Sequence, residues 1–205
     1  MKGTLRKRRS LPVRIVLGVF IVAVTWVVVQ EGYRALSFND EKMRMFTGVR
    51  NLGRVNAHLY RGAQPTAEGY AALRAIGVDT VLRLSLADEG GVEEEKAVTA
   101  LGMRYVSIPE TTARPPTDDQ SRRFLTFIRD NPQRVIFVHC KWGADRTGVM
   151  IAIDRITFDH WPASKAIDEM NAFHYHETFL PHLQHYVETF DPAKVLSTPG
   201  SDGKS

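Results

Sequence analysis

The chain has 205 residues and a formal net charge of +4 at pH 7, and its length suits one domain of ordinary size. Six of its basic residues fall within the first 14 positions, which contain no acid, and acidic residues outnumber basic ones in the remainder. The positive charge is therefore a local N-terminal block, which argues against a basic face on the domain and against nucleic acid as a partner.

The basic block, residues 1–14, precedes an uncharged apolar run at positions 15–29. A membrane-spanning helix needs about 20 apolar residues, so we predict a transmembrane anchor at residues 15–31 and a juxtamembrane connector at 32–50. A basic flank favours a cytoplasmic N-terminus, which predicts a single-pass membrane protein with its folded domain outside the cytoplasm. A cleaved signal peptide and a helix buried in a soluble core are the alternatives.

Residues 51–190 are predicted to form one domain in which strands alternate with helices. Strands are predicted at 55–61, 79–86, 103–108 and 135–140. Helices are predicted after the capping residues Thr66 and Thr117, at 92–101, after the loop that follows Cys140, after 161–162, and at 179–190, where Phe179 and Leu183 begin a core-facing stripe. Residues 191–205, rich in Pro, Gly and Ser, are predicted to be a disordered tail.

This order of elements predicts an α/β fold with a central, mostly parallel sheet and helices on both faces. In such sheets, ligands bind beyond the carboxyl ends of the strands. The strand at 135–140 ends at Cys140, so the residues that follow it are expected to lie at the binding site.

The main candidate catalytic residues lie in the stretch 135–148. It contains Cys140, the only cysteine of the chain, so an internal disulfide is impossible. Five residues separate Cys140 from Arg146, and a helix follows. Such a loop can turn its backbone N–H groups inward as an anion-binding nest, while the positive end of the helix favours a thiolate. Cys140 is therefore a candidate nucleophile, and Arg146 offers a planar fork for two phosphate oxygens.

Other residues of the stretch have supporting roles in this interpretation. Thr147 is expected to donate its hydroxyl to the sulfur of Cys140, and His139 is expected to order the loop rather than act as a base. Glycines at 143 and 148 let the backbone approach phosphate closely. The candidate substrate-binding residues are Lys141, Trp142, Gly143, Ala144 and Gly148.

The sequence from His139 to Gly148, His-Cys-x-x-Gly-x-Asp-Arg-Thr-Gly, resembles the signature of cysteine-dependent protein tyrosine and dual-specificity phosphatases. Residues 59–65 are similar to a segment near the domain start of bacterial and atypical dual-specificity members, and the resemblance spans about residues 50–190. It implies a two-step reaction without metal or other cofactor: Cys140 attacks phosphorus, and water hydrolyses the cysteinyl-phosphate. A rhodanese-type anion loop and a buried inert cysteine are the alternatives.

The leaving group needs a general acid, which in most of this family is an aspartate upstream of the loop. Residues 108–116 contain no aspartate, and this is the main departure from the family pattern. Asp145, inside the loop, is the first candidate. Asp118 or Asp119, at the start of a helix, and Glu110 are the others, although a carboxylate at a helix start also suits the helix dipole.

Further polar residues are weaker candidates. Arg61 is expected to reach the site or to serve as a structural hydrogen-bond donor, and Arg114 to meet substrate or remain solvated. Five histidines lie in the C-terminal third, and we interpret them as helix-surface residues, with no metal site: His160, His174, His176, His182 and His185.

The predicted function is a membrane-anchored, cysteine-dependent phosphomonoesterase. Its expected partner is a phosphorylated protein or a phosphorylated lipid or inositol, and the anchor favours the lipid slightly because it concentrates the site near headgroups. A non-catalytic phosphate-binding module is the alternative of another class. The sequence leaves the oligomeric state open.

Overall fold

The computed structural model describes residues 48–86 and 88–197. The predicted flank at 1–14 and anchor at 15–31, most of the connector at 32–50 and residues 198–205 of the predicted tail lie outside the described residues. No helix within residues 48–86 and 88–197 is long and apolar enough to span a membrane.

Strands and helices alternate through the described residues, as the sequence predicts. The strands are β1 (Gly53–Arg54), β2 (Leu59–Ala63), β3 (Thr80–Arg83), β4 (Arg104–Ser107) and β5 (Ile136–Cys140). The helices are α1 (Ala67–Ala75), α2 (Gly91–Ala100), α3 (Asp118–Asp130), α4 (Asp145–Phe158), α5 (Ala163–Ala172), α6 (Pro181–Glu188) and α7 (Pro192–Ser197).

The strands form one five-stranded sheet in the order β1-β2-β5-β3-β4. Only β1 is antiparallel to its neighbour, and the pairs β2–β5, β5–β3 and β3–β4 are parallel. β5 therefore lies at the centre of the sheet, with Ala63 beside Cys140 and Arg83 beside His139. The prediction of a mostly parallel α/β sheet is confirmed.

Alternate residues of β5 point to opposite faces of the sheet, because the side-chain period of a strand is two. Ile136 and Val138 pack in one apolar cluster with residues of α3, α4 and α7. Phe137 packs in a second cluster with residues of α1 and α2. Helices therefore cover both faces, and β5 is buried along its whole length.

The helix starts predicted from capping residues are also found. Thr66 accepts a hydrogen bond from the Gly69 backbone N–H at the start of α1. Thr117 and Gln120 form a reciprocal capping box at the start of α3. These side chains satisfy backbone N–H groups that the helix itself leaves without partners.

The first strand and the start of the domain differ from the prediction. The predicted strand at 55–61 begins late, because the Val55 N–H bonds the carbonyl of Leu59 in a tight turn. β2 then continues through Gly62 and Ala63, two residues beyond the predicted end of the strand. Val49 is already buried, so the packed domain starts before residue 51.

Two predictions at the C-terminal end are wrong. Phe179 is 80% exposed rather than in the core, because α6 begins only at Pro181, a residue suited to the first helical turn. The predicted disordered tail contains α7, and Val195 of that helix is 3% exposed and packs in the first apolar cluster. The apolar side chain, rather than the Pro/Gly/Ser content, decides the structure of residues 192–197.

Candidate active site

The loop between β5 and α4 lies at the carboxyl end of the central strand. Cys140 ends β5 and is 2% exposed, and α4 starts five residues later at Asp145. A cavity of about 340 Å³ opens here, and it brings together four of the predicted site residues with four others. Its lining residues are Thr112, Cys140, Trp142, Asp145, Arg146, His176, Phe179 and Leu180.

The carbonyl groups of the loop all point outward to hydrogen-bond donors. The Lys141 carbonyl accepts from the Gln64 N–H at 3.4 Å, and the Ala144 carbonyl accepts from the Gly148 N–H at 2.7 Å. Asn51 donates its side-chain amide to the carbonyls of Trp142 and Gly143, at 3.4 and 3.2 Å. The N–H groups of residues 141–144 donate to no described residue, so they remain available for an anion.

Gly143 is required by both conformation and space. Its φ is +69°, in the left-handed region, and a Cβ atom would lie under 3.0 Å from the backbone of Gly62 and Ala63. Gly148 differs from expectation, because it lies inside α4, where a Cβ would meet Met170 at 3.4 Å, an ordinary contact. Of the two predicted glycines, therefore, only Gly143 lies where the absence of a side chain lets two backbone segments approach closely.

Arg61 is buried behind the loop rather than in the cavity. Its Nη2 donates to the Gly143 carbonyl at 3.2 Å, and its guanidinium lies 4.0 Å from the ring centroid of Phe173. Asn51 also donates to the Phe173 carbonyl, at 3.0 Å. Both side chains therefore join the loop to the turn after α5, which agrees with the structural alternative for Arg61.

Arg146 is held by Glu89, a residue of the loop after β3. The two carboxylate oxygens accept from Nη1 and Nη2 of Arg146 at 3.0 and 3.2 Å, and the Glu110 carbonyl accepts from Nη1 at 3.3 Å. This hydrogen bonding lowers the pKa of Glu89, and it raises the pKa of Arg146 against the opposing effect of burial. Nε of Arg146 is buried and has no hydrogen-bond partner among the described residues, so it is an unsatisfied donor from which a bound phosphate oxygen could accept.

His139 belongs to a buried polar cluster beneath the loop. Its Nε2 lies 2.6 Å from Oε1 of Glu94, and Oε2 of Glu94 accepts from Nε of Arg83 at 2.8 Å. Burial acts to raise the pKa of Glu94, but the contacts with His139, Tyr70 and Arg83 together lower it. Since His139 directly precedes Cys140, these contacts fix the backbone from which the nucleophile projects, which fits the ordering role expected of His139.

Asp145 lies in the cavity wall and is paired with a histidine. Its Oδ1 accepts from the backbone N–H of His176 at 3.1 Å, and Nδ1 of the His176 ring lies 3.0 and 3.2 Å from the two carboxylate oxygens. The other acid candidates lie elsewhere. Asp118 pairs with Lys194 and Asp119 pairs with Arg122, and neither lines the cavity.

Glu110 is buried beside Arg146 but does not line the cavity either. Burial raises the pKa of Glu110 to about 8, although Arg146, Arg114 and Arg123 oppose the shift. Its carboxyl is therefore protonated at neutral pH. Arg114 itself is exposed on the loop that precedes α3.

The remaining predicted residues are placed as follows. Thr147 is fully buried, and its hydroxyl has no hydrogen-bond partner among the described residues, so the expected bond to the sulfur of Cys140 is not made. Trp142 is 51% exposed at the cavity, and the cationic groups of Arg50 and Lys141 lie 5.1 and 5.8 Å from its ring centroid. No metal-binding group of three or more His, Cys, Asp or Glu residues occurs in the part of the chain that the structure describes.

Sequence reasoning missed Glu89, Asn51 and His176. Glu89 and Asn51 lie far from the loop in sequence, and no local pattern marks them. The interpretation of His176 as a helix-surface residue is wrong, because His176 lies in the turn between α5 and α6 and contacts Asp145. His182 also differs, because its Nε2 donates to the Thr112 carbonyl at 2.8 Å and so joins α6 to the loop before α3.

Comparisons with known proteins find a family model and curated relatives that match part of this chain. Residues 39–178 match the family model described as "DSP-PTPase phosphatase fused to NAD+ Kinase". A curated relative, the dual specificity protein phosphatase TpbA of Pseudomonas aeruginosa (strain UCBPP-PA14), is 32% identical over 125 residues, covering 58% of this chain and 53% of the relative. The chain thus spans about half the length of the curated relatives that it matches.

Solved structures share the fold. The crystal structure of P. aeruginosa TpbA in complex with pTyr is 24% identical with a TM-score of 0.62, covering 75% of this chain and 96% of that chain. The core catalytic domain of the PP-IP phosphatase SIW14 from S. cerevisiae, in complex with citrate, is 19% identical with a TM-score of 0.62, covering 74% and 91%. At these identities the likeness extends to the fold alone.

Proposed function

We propose that this chain, which belongs to the family described as DSP-PTPase phosphatase fused to NAD+ kinase, hydrolyses phosphomonoesters with Cys140 as the nucleophile. The observation that carries the proposal is the arrangement of the loop, in which the carbonyls of residues 141–144 all bond outward and leave the N–H groups available for an anion. A phosphate bound there would face both Cys140 and the Nε edge of Arg146.

The chemistry follows from this arrangement. The unbonded N–H groups of residues 141–144 and the guanidinium of Arg146 bind the phosphoryl oxygens, and they stabilise the charge that these oxygens carry in the transition state. The sulfur of Cys140 attacks phosphorus, the ester oxygen leaves, and water releases phosphate from the cysteinyl-phosphate. Glu89 keeps Arg146 oriented in both steps, because its two oxygens bind the Nη1–Nη2 end of the guanidinium and leave Nε to the phosphate.

We propose a phosphorylated protein side chain as the first substrate class. Trp142 and Phe179, two exposed aromatic side chains beside the cavity, offer flat apolar surfaces on which the ring of a phosphotyrosine can stack. The solved TpbA structure with pTyr supports this choice by analogy.

A phosphorylated inositol or lipid is the second substrate class. The cationic groups of Arg50 and Lys141 flank Trp142, and they could bind additional phosphates of such a ligand. The PP-IP phosphatase SIW14 has the same fold. A panel of phosphotyrosine peptides, inositol phosphates and phospholipids separates the two classes by comparing kcat/KM.

The test of the enzyme proposal is hydrolysis of p-nitrophenyl phosphate by the full chain and by Cys140→Ser. We expect turnover by the wild type and none by the variant, which keeps the size of the side chain but removes the thiolate. If the wild type binds inorganic phosphate but turns over neither p-nitrophenyl phosphate nor any member of the panel, the chain is a phosphate-binding module instead. Equal turnover by both proteins would contradict the role of Cys140.

We also propose that residues 15–31 anchor the domain in a membrane, with the N-terminus in the cytoplasm and the phosphatase domain outside it. The support is the apolar run at 15–29 behind a basic block. Retention of the full chain in membranes after alkaline extraction would agree with an anchor. A mature chain that lacks residues 1–29 by mass spectrometry would indicate a cleaved signal peptide instead.

A further inference from the structure

One histidine lies in the wall of the catalytic cavity. His176 lines the cavity together with Cys140, Asp145 and Arg146. It belongs to the turn between α5 and α6, which is fixed by several hydrogen bonds: Tyr175 donates its hydroxyl to the Leu180 carbonyl, and the N–H groups of Phe179 and Leu180 bond the His176 carbonyl, both at 3.0 Å. The ring is therefore carried on an ordered turn, with its side chain 53% exposed.

The contacts of this ring assign its two nitrogens different roles. Nδ1 lies 3.0 and 3.2 Å from the Asp145 oxygens, so it is the nitrogen that donates to the carboxylate. Nε2 has no hydrogen-bond partner among the described residues. A histidine oriented by a carboxylate through one nitrogen exchanges protons through the other. Nε2 is thus the atom of the pair that is available to a substrate.

Asp145 is less suited to donate a proton itself. Its Oδ1 accepts from both the backbone N–H and the ring of His176, and a proton on the carboxyl group would compete with these hydrogen bonds. Glu110 is protonated at neutral pH, but its side chain is buried and does not line the cavity, whereas its neighbour Arg146 does. Among the described residues that line the cavity, His176 combines an exchangeable proton with access to the bound ester.

We infer that His176 is the general acid of this phosphatase and that Asp145 is the residue that positions it. This inference rests on the proposed function. In the first step, the sulfur of Cys140 forms a bond to phosphorus and the bond from phosphorus to the ester oxygen breaks. The electron pair stays on that oxygen, which takes the proton from Nε2 of the His176 imidazolium, so an alcohol or phenol leaves and the ring becomes neutral.

The second step, hydrolysis of the cysteinyl-phosphate, returns Cys140 and His176 to their starting states. The oxygen of a water molecule bonds to phosphorus while one of its protons passes to the neutral Nε2. The bond between phosphorus and sulfur breaks, and its electron pair returns to the sulfur. Inorganic phosphate is released, His176 is again an imidazolium, and Cys140 is again a thiolate. Asp145 keeps its hydrogen bonds to the ring throughout.

The test compares leaving groups, because a general acid matters most when the leaving group is poor. We expect His176→Asn to lower kcat/KM on phenyl phosphate roughly 100-fold or more, and to lower it less than about 10-fold on p-nitrophenyl phosphate. Asparagine can keep a donor near Asp145, so the local fold is retained while Nε2 is lost. The same pair of substrates is measured with Glu110→Gln and Asp145→Asn. Asp145→Asn, which misplaces the ring, should give a smaller loss with the same dependence on the leaving group.

The matched control is His174→Asn, two residues away in the same turn and outside the cavity wall. Its φ of +64° is one that asparagine tolerates, and we expect wild-type rates on both substrates. As a second measurement, added imidazole should restore phenyl phosphate turnover to His176→Ala, which a purely structural role would not permit.

The outcomes separate this inference from the proposed function. Cys140-dependent turnover by the wild type, with an equal loss or no loss on the two substrates in His176→Asn, overturns the role of His176 alone. A dependence on the leaving group in Glu110→Gln but not in His176→Asn assigns the proton to Glu110 instead. No turnover by the wild type overturns the phosphatase proposal and this inference together.

Discussion

At the scale of single residues, the site depends on side chains that do not touch the reacting phosphorus. Glu89 occupies one edge of Arg146, Asn51 and Arg61 hold the loop carbonyls, and Glu94 contacts His139. Each of these contacts fixes an orientation rather than adding a new reactive group. Misplacing a catalytic group by about 1 Å can cost about 100-fold in rate, so these supporting residues can be tested kinetically.

Glu89→Gln should impair catalysis without unfolding the protein. The amide keeps the shape of the side chain but can accept from only one nitrogen of Arg146, so the guanidinium loses its fixed edge. We expect kcat/KM on p-nitrophenyl phosphate to fall about 10- to 100-fold, with weaker inhibition by inorganic phosphate. Glu93→Gln, an exposed position on α2, is the control and should match the wild type. Unchanged kinetics in Glu89→Gln would show that Arg146 is positioned by its other contacts.

Gly143→Ala should destabilise the protein far more than Gly102→Ala, although the two glycines have the same φ. Gly143 and Gly102 both have φ of +69°, but a Cβ at Gly102 would meet nothing within 4 Å. Gly102→Ala should therefore cost about 1 kcal/mol of unfolding free energy, the ordinary cost of a left-handed alanine. Gly143→Ala should cost clearly more and abolish phosphate binding, as measured by urea unfolding and phosphate titration. Equal costs would mean that the loop moves away from Gly62 without loss.

At the scale of elements, the sequence predicts well where one local signal dominates. The apolar run into Cys140 forms β5, and the caps Thr66 and Thr117 begin α1 and α3 as expected. The prediction that Phe179 lies in a core-facing helix is wrong. Its spacing from Leu183 fits a helix, but α6 begins only at Pro181. The helical period alone cannot show where a helix begins.

The site was predictable only in its contiguous part. The nucleophile Cys140 and the phosphate-binding Arg146 lie within one contiguous segment, residues 139–148, so the sequence alone identifies them as a pair. Glu89 and His176 reach the same cavity only because parallel strands and the turn after α5 carry distant segments there. Such contacts depend on the tertiary fold, and no pattern within a window of 10 or 20 residues encodes them.

Val195→Ala should destabilise the whole domain, because α7 is packed and not a disordered tail. The valine is 3% exposed within the cluster that contains Phe124 and Met150. Removing its two methyl groups should cost about 2 kcal/mol in the free energy of unfolding, measured as a lower urea midpoint at unchanged slope. Lys194→Ala, which breaks an exposed ion pair with Asp118, should change stability by less than about 1 kcal/mol. An unchanged urea midpoint in Val195→Ala would show that α7 does not stabilise the domain and would support the predicted disordered tail.

At the scale of the whole molecule, stability should depend on pH through two buried acids. Burial raises the pKa of Glu110 to about 8 and the pKa of Asp154 to about 7, from ordinary values of 4.5 and 3.8. Each carboxyl therefore binds its proton more tightly in the folded state. Its stabilising contribution is complete below the unfolded pKa and is lost as the pH rises through the folded pKa. The lowered pKa values of Glu89 and Glu94 act with the opposite sign, and their contribution is lost only as the pH falls below about 4.5.

We therefore expect the free energy of unfolding to fall by a few kcal/mol between about pH 5 and about pH 8, since one pKa unit corresponds to about 1.4 kcal/mol. Glu110→Gln and Asp154→Asn should each flatten part of this slope, and Asp168→Asn, on the exposed side of α5, should leave it unchanged. Urea unfolding at several pH values measures the effect. A slope that stays the same in both buried variants would assign the pH dependence to other groups.

The central place of β5 also determines how the domain can fold. β1 and β2 form one pair and β3 and β4 another, and the two pairs are joined only through β5, which places Ile136 beside both Leu59 and Thr80. Contacts between residues so far apart in sequence close large loops, and they form slowly during folding. A chain emerging from the ribosome would expose facing edges of β2 and β3 until residues 136–140 are made. The last strand to complete the sheet is thus the strand that carries the nucleophile, so we expect binding of phosphate to appear in refolding only together with the final, rate-limiting phase.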